Sequence, residues 1–95
     1  MAIGSEQRRR ERRPEVEALF GPKRVEAALD LLHLADMAWH DCYPNDLEIE
    51  PRVLADILLC SRGDLATLIR VTLEAIIDFR DVRITADELR AEQAQ

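Results

Sequence analysis

Apolar residues recur at helical spacing through most of this chain. In KRVEAALDLLHLADMAWHDCY, Val25, Leu29, Leu32, Asp36 and Trp39 share one face at three- and four-residue steps, while Ala27, Leu31, Leu34 and Ala38 form a second apolar strip. Pro22 suits the first turn of this helix, and Pro44 closes it. After Pro51, RVLADILLCSR is apolar at Val53, Leu54, Ile57, Leu58, Leu59 and Cys60, almost all round, with Gly63 as its natural stop. Asp64 is a suitable cap for a third helix, LATLIRVTLEAIIDF. Leu65, Leu68, Ile69, Leu73, Ile76 and Phe79 give that helix a broad apolar face, and Thr67, Arg70, Glu74, Asp78 and Asp81 face water.

The flanks are weaker. SEQRRRERR has almost nothing apolar to bury and reads as a flexible Arg-rich arm over residues 1–13, followed by one or two helical turns in PEVEALF that end at Gly21. LEIE and DVRIT each alternate apolar with charged residues, which suggests a very short two-stranded ribbon between residues 47–49 and 82–84. TADE, with Thr85 as cap and Glu88 three residues on, has the form of a capping box opening a short terminal helix. The expected fold is all-α: a three-helix core with short flanking helices, forming a single domain over residues 14–95 behind the arm.

Charge sharpens the division. The chain carries a formal net charge of −6, and residues 1–13 hold five Arg against Glu6 and Glu11, so residues 14–95 carry −9. An acidic body repels nucleic-acid phosphates, which leaves the arm as the segment suited to them or to an acidic protein surface. The opening residues contain no hydrophobic stretch, so neither a signal peptide nor a membrane span is predicted, and the expected address is cytoplasmic. Cys42 and Cys60 are too few for a disulfide framework and read as free thiols.

Three constellations carry candidate chemistry. His33, Asp36 and His40 share one helical flank, and two imidazoles with a carboxylate are a low-ranked candidate metal site. The HD pair at residues 40 and 41 resembles metal-dependent phosphohydrolases of the HD type, which need further His ligands; no third His exists. The plainer reading makes Asp36 a packed acceptor for a histidine or for an arginine of a neighbouring helix. VLADILLCSRGDLATLIR resembles the helix-turn-helix of DNA-binding proteins over residues 54–70. That resemblance implies nucleic-acid contacts from Arg62, Thr67 and Arg70, but Leu59 stands where the turn wants glycine, and an ordinary helical hairpin explains the same residues. The third constellation is the arm itself.

No catalytic signature, phosphate loop or cofactor motif accompanies these residues, so the sequence predicts a non-catalytic protein without a cofactor. A helix apolar on two flanks beside one apolar almost all round presents more surface than three helices cover. Self-association, most simply as a homodimer through Ala27, Leu31, Leu34 and Ala38, is therefore the leading functional expectation for an interaction module that could also bind another protein; a DNA-binding regulator using residues 54–70 is the alternative, and a small metal-binding protein using His33, Asp36 and His40 the second.

Overall fold

The computed structural model describes residues 2–94, apart from the side chains of Ala2 and Ile3; Met1 and Gln95 lie outside the described residues. The fold is all-helical: α1 (Ala2–Phe20), α2 (Val25–Cys42), α3 (Pro51–Ser61) and α4 (Leu65–Gln93). The three central helices fall where the apolar periodicity puts them. The flanks do not.

The segment expected as a flexible arm is the first part of a 19-residue helix. Arg and Glu are good helix formers, and Gln7–Glu11 and Arg13–Glu17 pair one turn apart. Pro14 lies inside α1, where it cannot donate to the carbonyl of Arg10; both residues are exposed, so water can take the vacant bond. Among the described side chains of α1, only Val16 and Phe20 are buried apolar residues. What holds the rest of α1 is charge, because its arginines meet acids on α2. The helix ends at Gly21, whose φ of +82° suits a residue without Cβ.

Among the described residues there is no strand, so the expected ribbon does not form. Leu47–Ile49 lies in the loop before α3, and Val82–Ile84 lies within α4. The alternation there reflects partition of a helix: Val82 is buried and Ile84 exposed. The capping box is also displaced. Asp78 has extended backbone (φ −158°, ψ 99°) and breaks α4 into two segments. Its carboxylate accepts the N–H of Arg80 at 3.1 Å and so caps the second segment. Thr85 sits inside that segment, with its hydroxyl donating to the carbonyl of Asp81.

The core runs through all four helices and includes Val16, Leu32, Ile57 and Leu68, with Ile49 supplied by the loop. α2 packs on α4, and the rings of Trp39 and Phe79 are 6.0 Å apart just past the break at Asp78. α1 covers the opposite flank of α2 through Glu26 and Asp30.

α3 and α4 form the helical hairpin. Arg62 (φ 54°) and Gly63 (φ 74°) both take the left-handed conformation, and Asp64 caps α4 through the N–H of Thr67 at 2.9 Å. A Cβ on Gly63 would lie 2.4 Å from the carbonyl oxygen of Leu19, so the end of α1 packs directly on this turn.

Candidate functional site

Asp36 is 2% exposed, and its partners come from α1. Arg12 donates to both carboxylate oxygens, at 2.8 and 3.0 Å, and the backbone N–H of Ile49 donates at 3.0 Å. Arg8 Nε stands 3.5 Å from the same carboxylate and 3.6 Å from Glu48, which also lies 3.5 Å from Arg12. The buried charge is therefore compensated by a forked guanidinium, the geometry that makes a carboxylate tolerable in an apolar interior. His33 and His40 are both exposed, and neither donates to Asp36. His40 instead approaches the carbonyl of Asp46 through Nδ1 at 2.8 Å. Among the described residues, no three His, Cys, Asp or Glu side chains gather where one metal ion could reach them.

The remaining acids of α2 extend the clasp over the surface. Arg9 donates to Asp30 at 2.7 Å and to Glu26, which also pairs with Arg13 at 2.6 Å. The hydrogen bonds from Arg9 and Arg13 hold the Glu26 carboxyl below its usual range, and those to Glu26 and Asp30 raise the Arg9 guanidinium. Four of the arm's arginines, Arg8, Arg9, Arg12 and Arg13, are thus ion-paired with the body.

A second buried carboxylate, Asp56 of α3, was not singled out by its sequence. It is 1% exposed; Arg83 Nε donates to it at 2.7 Å, and Arg90 Nη2 is ion-paired with its other oxygen at 2.8 Å. Arg83 and Arg90 are two turns apart on the second segment of α4, so this clasp fastens that segment as Arg8 and Arg12 fasten α1. The available signal was a lone acid in the otherwise apolar run VLADILLC. Burial pushes the neighbouring Cys60 thiol up, and the Asp56 charge adds to the effect, so this sulfur is poorly suited to be a nucleophile.

Two of the three residues of the helix-turn-helix resemblance, Thr67 and Arg70, bind local side-chain partners. Arg62 is exposed at the turn, Thr67 gives both its N–H and its hydroxyl to Asp64, and Arg70 pairs with Glu74 at 3.2 Å.

The second apolar strip of α2 looks outward. Leu34 is 61% exposed, Ala27 is exposed, and Leu31 and Ala38 are half-buried. Ile69, Leu73 and Ile77 of α4 are also more than half exposed and lie one turn apart. The cleft between α1 and α2, lined by Ser5, Arg9, Arg12, His33 and Asp36, holds only about 100 Å³. No described helix is long and apolar enough to cross a membrane. No family model, curated protein or solved structure matches this chain.

Proposed function

We propose that this protein is a small, non-catalytic helical interaction module that works in the cytoplasm by self-association. The observation that carries the reading is the outward apolar strip of Ala27, Leu31, Leu34 and Ala38 on α2, in a molecule whose two deeply buried acids are held by internal arginines. Buried ionisable groups point to chemistry when they line a roomy cleft with a reactive partner. Here they fasten helices. The α1–α2 cleft is well below the roughly 300 Å³ of ordinary small-molecule sites. A roomier groove of 520 Å³ is lined by Arg13, Pro14, Glu17, Ala18 and Pro22, which supply an ion pair and no nucleophile. Light scattering at micromolar concentration tests the reading: a mass above that of one chain supports it, and a single-chain mass unchanged by concentration rejects it.

A second reading, a DNA-binding regulator using residues 54–70, draws support from the three-residue turn between α3 and α4 and the exposed Arg70. Its test is a shift of duplex DNA that Arg62→Ala or Arg70→Ala removes. Binding that falls steeply with salt and depends only on the arginines of α1 would be non-specific attraction.

A further inference from the structure

Independently of the self-association reading, we infer that residues 79–93 form a strap that folds back over α3 and opens as a unit by straightening α4 at Asp78, uncovering the Asp56 carboxylate and the Cys60 thiol.

The fold-back follows from reach. α4 leaves α3 through a three-residue turn, and Asp56 lies five residues before Ser61, about 8 Å from the end of α3 along its axis. An unbroken α4 would carry the backbone of Arg90 about 38 Å beyond Leu65, a gap that no arginine side chain closes. Yet Arg90 Nη2 is 2.8 Å from Asp56, and Arg83 Nε is 2.7 Å from it. The segment beyond Asp78 therefore doubles back. Its end returns to the turn from which α4 set out, where Leu89 and Gln93 line a groove with Leu59 and Arg62.

The sequence of the same stretch suits one straight helix. Residues 65–93 contain neither Gly nor Pro, the usual causes of a sharp break. Val71, Ala75, Phe79, Val82 and Ala86 are buried or half-buried, and they follow one another at three- and four-residue steps straight through Asp78. Exposed Leu73, Ile77 and Ile84 keep a second line, at steps of four and seven. Two helices that only packed against the same body have no reason to share one phase.

What holds the bend is light. Asp78 accepts the N–H of Arg80 at 3.1 Å and its Nε at 3.0 Å, and Phe79 packs 6.0 Å from Trp39. Beyond these, the strap buries the apolar side chains of Val82 and Ala86, where the first segment buries Leu68, Val71, Thr72 and Ala75. Both anchoring arginines converge on one carboxylate, so loss of that contact frees the strap in one step. A segment with so few buried contacts opens at a lower free energy than the whole fold. Opening takes the cover from Cys60, whose thiol donates to the Val82 carbonyl at 3.8 Å.

The test uses the 95-residue chain with Cys42→Ser, so that Cys60 is its one thiol. In native buffer Cys60 should react with an aromatic disulfide at least about tenfold faster than global unfolding, measured by urea on the same protein, permits. Asp78→Ala removes the cap and supplies a stronger helix former; it should speed the reaction about tenfold further while exchange of the Leu32 amide in α2 stays unchanged. Asp78→Asn keeps a capping acceptor and should stay within about threefold of the parent. Shape is read from spin labels at Ala66→Cys and Glu92→Cys, both exposed sites, in a chain with Cys42→Ser and Cys60→Ala. Adding Asp78→Ala should bring up a separation of about 39 Å, the span of 26 residues of straight helix, beside the shorter one of the folded-back strap. Cys60 reactivity that only tracks global unfolding, equal rates with and without Asp78→Ala, or absence of the long separation overturns the hinge.

Discussion

Arg12 of α1 lays its guanidinium on the carboxylate of Asp36 in α2, with both nitrogens within 3.0 Å of an oxygen, and so ties the amino-terminal helix to the body through a charge that is 2% exposed. Taking two charges out of water is costly, and their attraction repays that cost only while both are present. Asp36→Ala should therefore destabilise the fold by about 3 kcal/mol, measured by urea denaturation, because Arg12 is left without its partner. The paired change Asp36→Leu with Arg12→Met should recover most of the loss. If Asp36 instead served a metal, the purified protein would hold near-stoichiometric zinc or iron that His40→Ala removes. Elemental analysis is expected to find none, even after incubation with zinc.

Asp56 makes a parallel case with a different readout. Its removal should loosen the second segment of α4, since Arg83 and Arg90 both lose their buried anchor. Hydrogen exchange of Asp56→Ala should show faster exchange over residues 79–93, with the amides of α1 much less affected. Uniform acceleration across the chain would mean that the clasp supports the whole core.

Gly63→Ala should cost more than about 1 kcal/mol, since it adds a steric clash to an unfavourable backbone conformation. The new Cβ would sit 2.4 Å from the Leu19 carbonyl oxygen at a φ of +74°. Gly21 has a similar φ of +82° but open space around it, so Gly21→Ala should suffer only the backbone penalty and lower the melting temperature less.

Acid should weaken the fold from the surface inward. Glu26, Asp64 and Asp78 all have lowered carboxyl pKa values: hydrogen bonds from Arg9 and Arg13 act on Glu26, those from Thr67 on Asp64, and those from Arg80 on Asp78. Each binds its proton less tightly folded than unfolded. Their stabilisation is therefore complete above the ordinary carboxylate range near pH 4, and is lost as pH falls through the lowered folded values. Urea midpoints measured from pH 6 to pH 2 should decline below about pH 4. Molar salt should also weaken the exposed Arg9–Glu26 pair far more than the buried Arg12–Asp36 pair. A midpoint that rose with acid would contradict these assignments.

The helices legible in the sequence are those whose stability comes from an amphipathic face. α2, α3 and the first segment of α4 follow from the spacing of residues such as Leu29, Leu32, Ile57 and Leu68, and Gly63 and Asp64 mark the turn that joins α3 to α4. The first part of α1 was not legible, because its arginines bury no apolar stripe and find their partners, Glu26, Asp30 and Asp36, only after α2 has formed. Local alternation at Val82–Ile84 looked like a strand for a similar reason: the surface that buries Val82 includes α3, where the Cys60 thiol reaches the Val82 carbonyl. For Asp36, sequence showed an acid in an apolar face with a histidine one turn to either side. The true partner is a guanidinium 24 residues away. The outward strip of α2 was legible as surplus apolar surface, but the exposure of Ile69 and Leu73, which share the apolar face of α4 with buried Leu68, was not.

Sedimentation equilibrium of the 95-residue chain, run from low to high micromolar loading, tests the central claim most directly. The chain mass is 10.9 kDa, and the account predicts a concentration-dependent rise to about twice that value. Leu34→Glu should stay at the single-chain mass throughout while keeping its helical circular dichroism. A wild-type protein that remains at 10.9 kDa over the whole range would contradict the account.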